Sequence, residues 1–313
     1  MFEKIMSLPV LSGARVWMRD HHPFDSRVIT WYEFVKKMID KVSGNDLSER
    51  ASAVAFNLFL AVFPAIIFLF TLIPFIPIPD LQPQIMGLLQ QAIPAGTFES
   101  VDNTIRDIIS RERGGVLSFG FLATIYAATN GMVALMNAFR VSHQTPDRRG
   151  FFKIRLIALG LTATLGVAII LAIVVLLVGG IVTDYLLQFG VFDNPVFAYL
   201  LTVVRYLLVF GVFMGVISVI YKYGPDVNMK WTFVTPGSIA ASILIVLTTL
   251  IFSFYLSNFG SYNKVYGSIG TLIALMVWIN LIALLVVLGF EMNVSLYNLE
   301  GEKNPSKVAK TTN

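Results

Sequence analysis

Six long stretches of this chain carry almost no charge, and no other feature restricts its folding as severely. Residues 51–79, 114–139, 156–183, 194–221, 231–263 and 265–290 contain no Asp, Glu, Lys or Arg except Arg205. Each is longer than the roughly 18 to 20 apolar residues that cross about 30 Å of hydrocarbon. Composition agrees: 56% of the 313 residues are hydrophobic and 13% are charged, where a soluble domain carries about 25% charged residues. The expected fold is an all-α membrane protein with six transmembrane helices, placed at 51–76, 115–138, 155–181, 196–221, 233–257 and 267–296.

The basic residues give the orientation. Of the 23 Lys and Arg, eight precede the first helix, five lie between 138 and 155, two between 222 and 230 and three in the tail. The other side holds four, Arg106, Arg111, Arg113 and Lys264. Loops rich in Lys and Arg stay in the cytoplasm, so both termini are expected there. The pI of about 9.2 then reflects topology and contact with anionic lipid rather than nucleic acid. The first fifty residues show no short apolar core before a small-residue cleavage site, so no cleavable signal peptide is expected and the first helix serves as its own insertion signal.

Amphipathic segments flank the apolar ones. In 28–42, Val28, Trp31, Phe34, Val35, Met38, Ile39 and Val42 recur at helical spacing among Glu33, Lys36, Lys37, Asp40 and Lys41, the pattern of an interfacial helix or of one packed on the ends of the bundle. Asn45, Asp46 and Ser48 are candidate N-caps for the first spanning helix. The connection 77–114 is too long for a turn; its prolines break regular helix at the start, and Phe98, Val101, Ile105, Ile108 and Ile109 predict a second amphipathic helix beyond. Residues 297–313 are polar and are expected to be a disordered tail. The three-plus-three arrangement would permit an inverted repeat, but the halves share no motif.

Little of this points to catalysis. The chain has no cysteine, which excludes disulfides and thiolate sites. His21, His22 and His143 have no metal-ligand spacing, no phosphate-binding GxxxxGK[ST] loop occurs, and YGSIG at 266–270 lacks the Gly-Xaa-Ser-Xaa-Gly order and the preceding strand of a nucleophile elbow. No enzyme activity, catalytic residue, metal or cofactor is expected. Asp, Glu and His are missing from the middle of the spans, which disfavours proton coupling, and Glu291 belongs about 13 Å past the centre of the last helix, near the cytoplasmic interface.

Arg205 is the exception. Ten residues below the outer end of the fourth helix, it would lie about 15 Å deep, where a cation costs at least about 2.5 kcal/mol without a partner or water. Asp184 and Asp193 lie at the outer end; Asn130 and Asn280 can approach but are neutral. Such a cation suits an anionic ligand such as a lipid phosphate; it equally suits a snorkelling or carbonyl-bonded structural role. Gly211 and Gly215 form a GxxxG that permits close helix approach, Pro64 is expected to kink the first helix, and Pro236 falls in a first helical turn.

The stretch PGSIAASILIVLTTLIFSFYLSNFGSYNKVYGSIGTLIALMVWINLIALLVVLGFEMN (236–293) resembles the YihY/BrkB family of bacterial inner-membrane proteins, formerly mislabelled ribonuclease BN. ASAVAFNLFLAVFP in the first helix and YKYGPD after the fourth agree with it, and the resemblance runs over about 25–296. It implies six transmembrane helices, cytoplasmic termini, no accepted catalytic activity and a loose association with the cell envelope and lipid export. Metal-dependent RNA cleavage would need a His/Asp cluster that the sequence lacks. Within this frame NFGSYNKVYGSIG (258–270) is expected to be a structural corner, with Gly260, Gly267 and Gly270 allowing tight turns; alternatively Ser261, Asn263 and Lys264 bind a headgroup or a periplasmic partner. Three functions follow as expectations: transfer of an anionic envelope lipid (a phospholipid or lipid A type) through Arg205, Asn130, Asn280 and Lys264; a scaffold recruiting envelope proteins; or a small-solute channel or carrier. A homo-oligomer is compatible with each.

Overall fold

The computed structural model describes residues 12–23, 29–75, 82–83, 85–87, 102–103, 105–108, 114–143, 149–188, 195–226, 232–258 and 260–303. Its ordered elements are helical throughout: α1 (Ser12–Asp20), α2 (Trp31–Ser43), α3 (Asn45–Leu72) with a short 3-10 turn at Ile73–Phe75, α4 (Gly114–His143), α5 (Phe151–Gln188), α6 (Pro195–Tyr223), α7 (Pro236–Asn258) and α8 (Gly260–Lys303). Six of them contain segments long and apolar enough to cross a membrane: Asp46–Phe75, Gly114–Ser142, Phe151–Gly180, Tyr199–Tyr223, Pro236–Leu256 and Leu272–Leu299. Large apolar side chains face outward along them; Phe119 is 74% exposed, Phe254 71% and Ile251 69%. A surface so apolar would be a liability in water and is the ordinary exterior in hydrocarbon.

Several boundaries move from their expected places, each for a local reason. Asn45, Asp46 and Ser48 do not precede α3 but lie inside it, because α2 runs almost directly into α3 across Gly44. The developed cap belongs to α2, where the Thr30 hydroxyl accepts from the Glu33 amide at 3.4 Å and the Glu33 carboxylate accepts from the Thr30 amide at 3.1 Å, a reciprocal capping box. The helix α3 continues through Pro64, and Pro236 is the first residue of α7, where its missing N–H costs no hydrogen bond. Much of the expected corner is helix: α7 ends at Asn258 and α8 begins at Gly260. The expected tail is also helical as far as Lys303, since Met292, Leu296 and Leu299 continue the apolar stripe of α8 and pack on α2.

The chain forms two compact units, one of residues 1–50, 135–246 and 284–313, the other of 51–134 and 247–283. In the first, Ile29, Phe34 and Leu299 are buried together, with Trp31, Val35, Met38, Met292 and Leu296 around them. The apolar side of α2 therefore covers the last turns of α8, the packing alternative of the two that its periodicity left open. A second apolar centre joins Phe139, Tyr221 and Phe290; Phe139 and Phe290 stack at 4.1 Å, and Tyr221 meets each at 5.7 Å. In the second unit α3 and α4 approach at glycines, with Gly120 against the backbone of Phe68 and Gly131 against Leu58. Residues 102–103 and 105–108 are helical within the long connection, with Ile105 buried and Arg106 bound to Asp102 at 2.8 Å; Phe98, Val101 and Ile109 lie outside the described residues. Among the described residues the Gly211–Gly215 pair makes no close helix approach. A Cβ at Gly211 or Gly215 would meet nothing within 4 Å among the described residues.

Candidate functional site

Two charged constellations stand out in the first unit. The first is built on Glu291, completely buried on α8, and on Arg50, 9% exposed in the second turn of α3. The Arg50 Nη2 donates to Glu291 Oε1 at 2.8 Å and lies 3.0 Å from Asp46 Oδ2. Its Nη1 donates to the Ala138 carbonyl at 2.9 Å and to Ser142 Oγ at 2.7 Å, and its Nε to the Asp46 carbonyl at 3.2 Å. Lys41 at the end of α2 approaches Glu291 Oε2 at 3.4 Å. One carboxylate thus ties together α2, α3, α4 and α8. A buried guanidinium with every face of its fork occupied is a clamp, with no free donor to offer a ligand.

A neutral network continues the clamp along α8. At the start of α7, the Thr235 amide donates to Ser238 Oγ at 3.0 Å and the Ser238 amide to Thr235 Oγ1 at 3.1 Å. Asn293 Oδ1 accepts from the Gly237 amide at 2.8 Å, and its Nδ2 donates to Thr235 Oγ1 at 2.8 Å. Side chains thus satisfy amides that a helix N-terminus leaves unpaired. The crossing is possible because two glycines meet there: a Cβ at Gly289 would stand 2.5 Å from the Tyr221 hydroxyl and 2.7 Å from the Gly237 carbonyl oxygen. The Tyr221 hydroxyl donates to the Val286 carbonyl at 2.7 Å, and Arg149 donates to the Gly224 carbonyl at 3.0 Å. Both YKYGPD and GFEMN thereby contribute to one packed corner.

The second constellation surrounds Arg205 on α6. Its aliphatic stem lies over the Gly179–Gly180 pair of α5; a Cβ at Gly179 would fall 2.8 Å from Arg205 Cδ, and one at Gly180 would fall 3.3 Å from Nη1. The guanidinium carbon is 5.4 Å from the Tyr206 ring centroid, within cation–π range. The Nε is buried and has no hydrogen-bond acceptor among the described residues; the side chains of Asp184 and Asp193 lie outside them. Gly179 is 28 residues along α5 from Phe151, about 42 Å at 1.5 Å per residue, against about 30 Å of hydrocarbon. Arg205 accordingly sits toward the end of the α5–α6 pair away from Arg149 and Gly224, rather than at its middle.

Asn130 and Asn280 belong to the second unit, where Asn280 Nδ2 donates to Ser52 Oγ at 3.1 Å. Ser261, Asn263 and Lys264 fall in the first turns of α8, and their side chains lie outside the described residues. The second unit also has a cavity of about 350 Å³ between α7 and α8, walled mainly by Phe252, Leu256, Leu275 and Trp278 with Thr249 and Ser253. Among the described residues no group of three or more His, Asp or Glu is placed to hold a metal ion.

A helical protein with six membrane-length apolar segments and a buried ionic clamp at one end is a multi-pass membrane protein. The family model described as virulence factor BrkB matches residues 38–312, and the chain belongs to that family. A Bacillus subtilis protein named putative ribonuclease-like protein YfkH is 29% identical over 268 residues, 84% of this chain and 95% of that protein. A UPF0761 membrane protein of Aggregatibacter aphrophilus is 23% identical over 88% of this chain and 96% of its own. One from Tolumonas auensis matches 131 residues at 28% identity, 41% of this chain and 43% of its own. No solved structure matches the chain.

Proposed function

We propose that the protein is a non-enzymatic component of the bacterial cytoplasmic membrane, with both termini in the cytoplasm, that binds and hands over an anionic envelope lipid. Arg205 carries this reading. Its guanidinium lies in a glycine notch within the membrane-spanning part of α5 and α6, and its Nε is buried without an acceptor among the described residues. A guanidinium so placed, with its Nε buried, is matched by a phosphate, whose oxygens accept from its fork. The position, nearer the outer end than the midplane, fits a headgroup held at the outer leaflet.

Mass spectrometry of lipids retained by the purified protein, normalised to bulk membrane lipid, tests the proposal. Wild-type protein is expected to enrich one anionic lipid, and Arg205→Ala to lose most of that enrichment. Equal, unselective lipid in both would remove Arg205 from the function, and co-purifying envelope protein indifferent to Arg205 would support a scaffold instead.

A further inference from the structure

At the end of the α5–α6 pair away from Arg205, the surface interleaves cations with exposed rings. Phe151 and Phe152 open α5 at 68% and 86% exposure, and Tyr223 and Phe233 are 55% and 46% exposed. Lys153 and Lys222 are exposed beside them. The Lys222 ammonium lies 5.8 Å from the Tyr223 ring and 5.9 Å from the Phe233 ring, and the Arg155 guanidinium lies 5.7 Å from the Phe151 ring. Arg149 joins the two sides of this surface through the Gly224 carbonyl at 3.0 Å. It also stands 3.5 Å from Asp226, the single acidic residue among the described 149–155, 221–226 and 232–235. The patch is therefore positive.

We infer that this surface is a docking site for the phosphate headgroup of an anionic phospholipid in the adjoining leaflet. Phe151 is the first residue of one apolar segment and Tyr223 the last of another, which puts the rings at headgroup depth. The amphipathic ring of Tyr223 favours that depth, and Lys and Arg close to it attract anionic lipid by about 1 kcal/mol each. An acidic soluble partner would match the charge but not the exposed Phe152, which would have to leave the bilayer interface to meet it. The site stands on observations separate from those at Arg205, and neither depends on the other.

Native mass spectrometry of the full chain, titrated with phosphatidylglycerol and with phosphatidylcholine, tests it. Phosphatidylglycerol should bind more tightly to the wild type, and K153Q/K222Q should weaken that binding about fivefold per lysine while leaving phosphatidylcholine binding and the melting temperature unchanged. Salt near 1 M, where the screening length is about 3 Å, should reproduce the loss. Arg205→Ala should retain the lysine-dependent binding, so failure of one site is distinguishable from failure of the other. Equal binding of the two lipids, or no effect of K153Q/K222Q, would overturn the inference. So would equally strong binding of soluble glycerol phosphate, or displacement of lipid by an oligonucleotide.

Discussion

Arg50 shows what a single side chain can hold in place when all of its donors are used. It bonds carbonyls of α3 and α4, a serine hydroxyl and the carboxylate of Glu291, and Lys41 shares that carboxylate. Removing one partner of a buried pair leaves the other charge uncompensated, at a cost of about 3–5 kcal/mol. Arg50→Ala and Glu291→Ala are each expected to lose stability of that order in denaturant melts in detergent, and the double variant Arg50→Met with Glu291→Leu to lose less than their sum. Single-variant losses below about 1 kcal/mol, the range of solvated surface pairs, would contradict the clamp. None of this was legible in the residues alone. Arg50 reads as one more topological cation because its partner is 241 residues away, and Glu291 reads as interfacial. Arg205, by contrast, was conspicuous from its apolar neighbours, while the glycine notch that receives it was not.

At the scale of elements, the spacing of apolar residues located the spanning helices well and their ends less well. The polar, glycine-bearing run after Asn258 looked like a corner, yet α8 starts at Gly260; glycine costs a helix only about 1 kcal/mol per residue relative to alanine, and a long helix absorbs it. Glycine spacing also misdirected the packing. Gly211 and Gly215 form the recognisable motif but face open space among the described residues, whereas Gly237 and Gly289, unrelated by any local pattern, are in contact. Gly289→Leu should therefore separate α7 from α8 and lower the melting temperature sharply, and Gly211→Leu should leave it nearly unchanged. Similar melting temperatures for the two variants would show that the crossing tolerates a side chain.

For the whole molecule, the testable property is orientation. By the positive-inside rule, eighteen Lys and Arg in one set of connections against four in the other predict that both termini are cytoplasmic. Because the chain has no cysteine, single cysteines report position without background. A membrane-impermeant maleimide should label Ser100→Cys in intact cells and Ser306→Cys only after lysis; the reverse pattern would invert the topology.

The clamp between α3 and α8 also sets an order of events during synthesis. Arg50 leaves the ribosome 241 residues before Glu291, an interval of roughly 10 to 50 seconds at 5–20 residues per second. Through that interval Arg50 has access to Asp46 and then to Ala138 and Ser142, but not to its buried carboxylate. Insertion therefore closes with a charge neutralisation, so a chain that stalls before the last helix is chemically distinct from a finished one.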